Sequence, residues 1–338
     1  MDVSAEPGCR TGRRAGTGRR RRRTVVVGVV AACTVVLALA PTGLASGTGA
    51  AAAIPLGDYA GAGDPGGVAA FARRTGAHLS LGLDFLDGST WGTIEAAAGV
   101  GVWARSGYRL VLAVPMLPDE GRASLRNGAH GAYDGDFVTL ARNLVRAGVG
   151  NAVLRLGWEF NGTWYRWRVR SGAGALQYAA YFRAIVTSMR SVPGQAFRFV
   201  WNPDADRPAG RFSPSQAYPG NAYVDAVGVD LYDESWVADP SPADAWNGYL
   251  TSAWGLDWLA SFATAVGKPI VLPEWGVAIR SDGHGLGDDP FFVDQVASWI
   301  TSHDVAWTDV FSFDDQQLDD ITDGHFPHAL GAFEANFG

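Results

Sequence analysis

The sequence is poor in cysteine. Its 338 residues include only Cys9 and Cys33, and both lie in the first 45 residues. We predict that this segment is removed on export, so the mature chain would contain no cysteine. A mature exported chain without cysteine cannot use disulfides and depends instead on a large hydrophobic core.

The amino-terminal segment has the composition of an export signal. Eight arginines fall between positions 10 and 23, and an apolar run of 17 residues follows from Thr24 to Ala40, before several small residues. This order of basic, apolar and small residues is typical of a signal peptide. We therefore predict a signal peptide at 1–45, cleaved after Ala45, a short linker at 46–53, and a secreted protein.

Two other interpretations of this segment stay open. An uncleaved membrane anchor is one, although 17 apolar residues are few for a membrane span. Lipid attachment at Cys33 is the other. The pair Arg22-Arg23 also fits a twin-arginine signal, so the sequence leaves the export route undecided.

Positive charge is scarce in the predicted mature chain. Removing eight of the 27 basic and two of the 34 acidic residues leaves 19 basic and 32 acidic residues, a net charge near −13. This balance argues against nucleic acids and anionic membranes as partners. We expect a monomer whose partner is a polysaccharide or oligosaccharide.

Signals for metals and cofactors are weak. The sequence has no HExxH motif, and His325 and His328 have no third ligand at a suitable spacing. The acidic segment 314–323 offers oxygen ligands for Ca²⁺, but a solvated acidic loop is the simpler interpretation. We predict neither a metal nor a cofactor.

Short apolar runs alternate with helical patterns along the rest of the chain. Eight such runs with helices between them, and no internal break, predict an α/β protein with a single closed (β/α)8 TIM barrel over residues 54–338. The predicted strands are 54–59, 78–85, 108–115, 151–159, 196–202, 223–231, 268–275 and 306–313.

Polar side chains gather where these strands end, which is where a barrel of this kind has its active site. Glu159 ends the fourth strand and Glu274 ends the seventh. Alternation along an extended strand would place Arg155, Gly157 and Glu159 on one face. Two carboxyl groups that converge at this rim suit the cleavage of a glycosidic bond.

The surroundings of the two glutamates suggest different roles. Glu159 lies among tryptophans, and desolvation there would raise its pKa and keep it a proton donor. Glu274 would stay ionised if it accepted hydrogen bonds, and Tyr232 is the predicted donor. A structural ion pair with Arg155 is the alternative for either glutamate.

Four segments together resemble glycoside hydrolase family 26, the β-mannanase family: LRLGWEFNGTWYRW, FVWNPD, VDAVGVDLYD and PIVLPEWG. The resemblance covers nearly the whole mature chain. It implies a retaining double displacement with Glu159 as acid/base and Glu274 as nucleophile. It also implies that Tyr232 positions the nucleophile and that Trp164 lies against the sugar next to the scissile bond.

One residue departs from the family pattern. The family usually has histidine before the acid/base, and here that residue is Trp158. Indole donates one hydrogen bond and accepts none. The resemblance therefore indicates the reaction more directly than the substrate. An endo-β-1,4-mannanase activity is favoured, with another β-glucan, a xylan or a cell-wall polysaccharide as alternatives.

Further residues at the strand ends are candidates for substrate binding, through ring stacking for the tryptophans and hydrogen bonds for the others. They are Trp158, Asn161, Trp201, Asn202, Asp230, Trp275 and Asp84. Burial or turn capping is the structural alternative for each of them.

Two different classes of function are also considered. One is a barrel that binds glycans without cleaving them. The other is a dinucleotide-dependent oxidoreductase, suggested by the pattern Gly61-x-Gly63-x-x-Gly66. Against it, Pro65 removes a backbone donor, and we expect it to be a first-turn residue of the following helix.

Overall fold

The computed structural model describes residues 54–205, 210–315 and 317–338. The predicted signal peptide and linker lie outside the described residues, so those boundaries stay predictions. In the part of the chain that is described, no helix combines the length and the apolar character needed to cross a membrane.

Eight parallel strands form the centre of the fold. All eight coincide with predicted strands. They are β1 (Leu56–Tyr59), β2 (Leu81–Phe85), β3 (Arg109–Val114), β4 (Val153–Leu156), β5 (Arg198–Trp201), β6 (Ala226–Tyr232), β7 (Ile270–Gly276) and β8 (Thr308–Phe311).

The strands follow one another around a nearly closed barrel. Their order in the sheet is β1-β8-β7-β6-β5-β4-β3-β2. A parallel bridge between Leu56 and Leu79 brings the two ends of this sheet together, and the amide of Ser80 donates to the carbonyl oxygen of Leu56 at 2.9 Å. The predicted (β/α)8 TIM barrel is confirmed.

Helices surround the barrel, and the longest follows β4. They are α1 (Pro65–Thr75), α2 (Trp91–Ala96), a 3₁₀ helix (Val100–Arg105), α3 (Leu125–Ala129), α4 (Asp134–Arg146), α5 (Gly172–Arg190), α6 (Pro214–Ala217), α7 (Pro242–Thr251), α8 (Leu256–Val266), α9 (Pro290–Ser302) and α10 (Pro327–Phe337).

Residues 91–106 form two separate helices instead of one continuous helix. Ala97 and Gly99 have φ angles of 44° and 87°, which end α2 before the 3₁₀ helix begins. These left-handed conformations stop a right-handed helix, and glycine adopts them without a steric penalty. At α1, Pro65 is the first residue, as predicted, and the Asp64 side chain caps the helix by accepting from the amide of Gly67.

Two hydrophobic layers stabilise the barrel. Inside it, residues from alternate positions of the strands pack together, among them Leu83, Val111, Val153, Val200 and Val271. The intervening strand residues pack outward against the helices in a much larger cluster. This division matters for the site, because a residue at a strand end faces either the barrel mouth or the helical layer.

Candidate active site

The chain leaves β4 through a left-handed turn that sets the position of Glu159. Gly157 and Glu159 have φ angles of 59° and 49°, and the amide of Glu159 donates to the carbonyl oxygen of Asn202 at 3.0 Å. A Cβ at Gly157 would lie 2.2 Å from the sulfur of Met116, so only glycine fits there. The predicted alternation through Glu159 is therefore wrong beyond Leu156, because the strand ends there.

Glu159 lines the cleft and accepts one strong hydrogen bond. Its Oε2 accepts from the indole Nε1 of Trp164 at 2.7 Å, and the residue is buried. Burial, followed by the negative charges of Asp230 and Glu274, raises the pKa of Glu159 well above its usual range. The indole hydrogen bond acts in the opposite direction, and the net effect favours the protonated acid.

Glu274 has different partners. Its Oε1 accepts from the hydroxyl of Tyr232 at 2.6 Å, and its Oε2 accepts from the guanidinium of Arg155, also at 2.6 Å. The phenol and the cation both stabilise a carboxylate. The predicted hydrogen bond from Tyr232 is present in the structure.

Arg155 connects Glu274 to a second carboxyl group. It is fully buried inside the barrel and donates to Oδ2 of Asp230 at 2.5 Å. Nδ2 of Asn202 donates to the same oxygen at 2.7 Å. The ion pair with Arg155, which the sequence suggested as a purely structural alternative, is thus present. It keeps Glu274 at the rim of the barrel and does not withdraw it from the cleft. Asp230 and Asn202 are buried beneath the cleft and support this arrangement.

A cleft of about 920 Å³ opens above these groups. Glu159 and Glu274 both line it, together with Tyr232 and Trp164, whose side chain is 55% exposed. The cleft is strongly acidic: its lining also includes Asp204, Glu234, Asp244, Asp315 and Asp319. A volume of this size and an exposed aromatic ring suit an extended polar ligand such as a glycan.

Two predicted sugar contacts are corrected by the structure. Trp201 and Trp275 are fully buried on the outer side of their strands. Trp201 packs against Phe160, and Trp275 packs against Phe333. Neither indole can stack on a sugar in the cleft, because the strand backbone separates it from the barrel mouth.

Asp84 and Asn161 are also structural in this arrangement, and their assignment to substrate binding is corrected. Oδ2 of Asp84 accepts from the indole of Trp103 at 2.7 Å and from the amide of Gly63 at 3.1 Å, on the helical side of β2. Asn161 is buried and makes two hydrogen bonds with the backbone of Asp204, which ties the loop after β4 to the loop after β5.

Trp158, which stands in the place of the family histidine, is buried and offers no polar atom to the cleft. Its Nε1 donates to the hydroxyl of Tyr165 at 2.8 Å, and its ring packs edge-on against Phe85. The assignment of Trp158 to direct substrate contact is therefore corrected.

Tyr165 was not predicted as a site residue. Burial, followed by the negative charges of Glu159 and Glu274, raises the pKa of Tyr165 well above its usual range.

A second exposed indole was also absent from the predicted site. Trp236 follows β6, lines the cleft and is 59% exposed. Its ring stacks on His284 with centroids 5.1 Å apart, and Nδ1 of His284 lies 2.9 Å from the carbonyl oxygen of Ser235. An antiparallel backbone bridge between Glu234 and Gly285 joins the two loops that carry these rings. The sequence signal was an abundance of tryptophan in the loops, without any indication of which indole is exposed.

Two further sequence motifs have local structural roles. In the glycine pattern, the carboxylate of Asp64 already occupies the start of α1, where a dinucleotide pyrophosphate would bind. In the acidic segment, Oδ1 of Asp314 accepts from the amides of Asp319 and Asp320. Among the described residues, no group of three or more potential metal ligands comes together.

Comparison with solved structures supports the fold. Among solved structures, an endo-beta-1,4-mannanase double mutant from Cellulomonas fimi aligns with a TM-score of 0.61 and 17% identity, over 85% of this chain and 71% of that one. GH26C from Muricauda sp. MAR_2010_75 aligns with a TM-score of 0.60 and 18% identity, over 84% of each chain. At these identities the likeness shows the barrel fold alone.

Sequence comparison matches the central part of the chain to a family. Residues 137–271 match the model of glycosyl hydrolase family 26. A mannan endo-1,4-beta-mannosidase of Bifidobacterium adolescentis is 29% identical over 139 residues, and Endoglucanase H of Acetivibrio thermocellus is 26% identical over 132 residues. These alignments cover 40% and 36% of this chain but only 13% of each relative.

Residues 137–271 are thus similar to glycosyl hydrolase family 26, and the predicted resemblance is confirmed. The family match runs from α4 into β7 and includes Glu159. It ends three residues before Glu274. The assignment of Glu274 therefore depends on the geometry of the cleft.

Proposed function

We propose that the protein is a retaining glycoside hydrolase that cleaves a β-linked polysaccharide, with Glu159 as acid/base and Glu274 as nucleophile. The observation that carries the proposal is the unequal environment of two glutamates in one cleft. Glu159 is buried beside an indole and has a raised pKa, whereas Glu274 accepts from a guanidinium and a phenol. Such a difference supports separate roles for the two residues, with Glu159 as the proton donor and Glu274 as the nucleophile.

In the first step, a carboxylate oxygen of Glu274 attacks the anomeric carbon while Glu159 protonates the departing glycosidic oxygen. Because Oε2 of Glu159 already accepts from Trp164, Oε1 is the oxygen that carries the proton. The products of this step are a glycosyl ester on Glu274 and a free sugar hydroxyl on the leaving group.

In the second step, Glu159 is ionised and removes a proton from water, which attacks the anomeric carbon and releases Glu274. The hydrogen bond from Trp164 favours this ionised form. Tyr232 and Arg155 stabilise the carboxylate of Glu274 as it leaves. Net retention of anomeric configuration follows from the two displacements.

We propose β-1,4-mannan as the first substrate, because a mannosidase is among the relatives and mannanases are among the structural neighbours. An endoglucanase is also among the relatives, so β-glucan is the second candidate, ahead of xylan and other cell-wall polysaccharides. With Trp158 buried, a polar contact at the cleavage point needs another source, and we assign it to the hydroxyl of Tyr165.

Replacing either glutamate tests the reaction. Glu159→Gln should lower kcat on mannan by roughly 10²–10⁴-fold, the usual contribution of a general acid/base. Glu274→Gln should remove turnover to at least the same extent. Glu334→Gln is the matched control, because Glu334 forms a surface ion pair with Arg74 far from the cleft in sequence and fold. Full activity in both cleft variants would refute the assignment.

Three measurements separate this proposal from its alternatives. NMR of the first reducing sugar released should show the β anomer, since inversion would give the α anomer. A wild-type protein that binds mannan, β-glucan and xylan but hydrolyses none of them would instead be a non-catalytic glycan-binding barrel. The absence of NAD(P) binding in a fluorescence titration would exclude the dinucleotide-dependent oxidoreductase.

We also propose that the protein is exported after loss of residues 1–45 and acts as a secreted monomer. The support is the basic, apolar and small-residue order of that segment. Mass spectrometry of protein recovered from culture medium gives the new amino terminus. A chain that starts at Met1, or one that stays with the membrane fraction, would contradict the proposal.

A further inference from the structure

A shallow depression of about 360 Å³ lies at the same end of the barrel as the cleft. It is formed by the loop after β3, the loop after β4 and the start of α5. Trp164 of the cleft and Arg166 of the depression are two residues apart on one loop. The lining of the depression includes four arginines, Arg126, Arg166, Arg168 and Arg170, and none of its described lining residues is acidic.

The charges of this arginine cluster are not neutralised within the described residues. Arg166 and Arg168 donate to backbone carbonyl oxygens, those of Gly121 at 3.1 Å and Tyr165 at 3.0 Å. The described residues provide no hydrogen-bond or ion-pair partner for the side chains of Arg126 and Arg170. Like charges held close together repel one another, and an anion that binds among them relieves this repulsion.

The grouping of four arginines is unusual for this chain because basic residues are few outside the amino-terminal segment. Without residues 1–45 there are 19 basic residues against 32 acidic ones, and four of the 19 lie around one depression. The adjacent cleft has the opposite character, with seven carboxyl side chains and Arg280 as the arginine in its described lining. An anionic group is therefore repelled by the cleft and attracted by the depression.

We propose that this depression binds an anionic substituent, a carboxylate, phosphate or sulfate, of a glycan whose uncharged backbone lies in the cleft. This inference rests on the proposed function, since it assigns a substrate class to the same protein. Guanidinium groups suit the task because each offers a planar pair of donors to an oxyanion. The substituent would lie beyond Trp164, away from Glu159 and Glu274, and would set the position of the chain relative to the cleavage point.

The test measures binding in protein that carries Glu274→Gln, so that turnover does not consume the ligand. The probes are β-1,4-manno-oligosaccharides that are oxidised to carboxylates, phosphorylated or sulfated, each compared by calorimetry with the unmodified sugar. The variant is Arg126→Gln with Arg170→Gln, because neither side chain has a partner among the described residues that the change would disturb. Arg73→Gln is the matched control, since Arg73 is an exposed residue near the end of α1 that lines neither cavity.

We expect at least one anionic probe to bind roughly tenfold more tightly than the unmodified sugar, which is about 1.4 kcal/mol. The double variant should abolish this preference and Arg73→Gln should keep it. The preference should also shrink at high salt, because the groups are exposed. The three probes show which anion is preferred. A thermal melt shows whether the double variant is folded.

Three results would overturn the inference: equal binding of charged and uncharged probes, an equal loss in Arg73→Gln, or arginine-dependent binding of phosphatidylserine vesicles without any preference among the glycans. Failure of the proposed function has a different signature. In that case the wild-type protein cleaves no glycan, while the anionic preference of the Glu274→Gln protein can still be measured.

Discussion

The guanidinium of Arg155 donates to Glu274 at 2.6 Å, across the interior of the barrel from β4 to β7. The same side chain donates to Asp230, and it is completely buried. One cation therefore contacts two carboxyl groups, Glu274 in the lining of the cleft and Asp230 beneath it. Its contribution to the protein is both to the fold and to the orientation of the proposed nucleophile.

Removing this cation should destabilise the fold. In Arg155→Met, the carboxylates of Glu274 and Asp230 stay buried without their cation, and we expect the free energy of unfolding to fall by about 3–5 kcal/mol. Urea denaturation at pH 7 measures the change. Combining Arg155→Met with Asp230→Asn should recover part of the loss, because it removes one of the unpaired charges. A single variant as stable as the wild type would contradict this account.

The hydrogen bond between Trp164 and Glu159 makes a prediction about pH dependence. In the proposed mechanism Glu159 must be protonated for the first displacement, so the alkaline limb of kcat/KM would report the loss of its proton. The indole hydrogen bond lowers the pKa of Glu159, although burial raises it more. Trp164→Phe removes this donor and should move the alkaline limb to higher pH. Trp236→Phe, on the other exposed indole of the cleft, should leave the limb unchanged.

Replacing Tyr165 tests whether its hydroxyl contacts the substrate or only supports the packing of Trp158. We expect Tyr165→Phe to lower kcat/KM about tenfold, the cost of one hydrogen bond of about 1.4 kcal/mol at the cleavage point. The double variant with Trp158→Phe discriminates between the two roles. If the hydroxyl contacts the sugar, the loss persists in the Trp158→Phe background. If the hydroxyl only supports the indole of Trp158, the loss disappears there.

Trp236 should act on long substrates. An exposed ring that is already stacked on His284 loses little conformational freedom when a sugar stacks on its other face. Trp236→Ala should therefore raise KM for polymeric mannan roughly three- to tenfold with little change in kcat. Trp236→Tyr should restore most of the affinity. Equal effects on the polymer and on the shortest cleavable oligosaccharide would show that the ring does not bind a distant sugar.

Asp309 should make stability depend on pH. It is fully buried, and neither carboxylate oxygen has a hydrogen-bond partner among the described residues. Burial raises its pKa well above the unfolded value, against the opposing effect of Arg155. The protonated form is thus favoured in the folded protein. The contribution of protonated Asp309 to the free energy of unfolding is complete below the unfolded pKa, near 4, and is lost as pH rises through the folded pKa.

Asp309→Asn removes this titration. The melting temperatures of variant and wild type should differ least near pH 4, and the variant should gain relative to the wild type as pH rises to 8. Asp225→Asn is the control at a partly exposed carboxylate paired with surface arginines. A difference between wild type and Asp309→Asn that stays constant with pH would show that Asp309 does not titrate in this range.

The positions of the strands could be predicted because buried parallel strands are short apolar runs between helices. Glu159 and Glu274 could be found because each ends such a run. The faces of the neighbouring residues were harder to assign. Trp275 follows Glu274 directly, so alternation alone directs it outward, but its position at a strand end suggested the cleft. Asp84 was misassigned for the same reason.

The loop residues could not be placed from sequence. The exposure of Trp236 depends on the ring of His284, which lies 48 residues later in the chain. The contact of Trp158 with Tyr165 depends on a turn that begins at Gly157, where the strand periodicity has already ended. Periodic patterns carry information about strands and helices, whereas these contacts are set by tertiary packing.

The left-handed backbone at Glu159 has a consequence for how this protein can change over time. A residue with a branched or long side chain at φ 49° is disfavoured by about 1–2 kcal/mol relative to glycine, and asparagine tolerates it better. Glu159 is also a buried carboxyl group. Substitution by glycine or asparagine should thus yield a more thermostable, inactive protein. If Glu159 has the proposed role, selection for heat resistance alone would favour inactive variants, so any effort to stabilise this protein must also screen for turnover at every round.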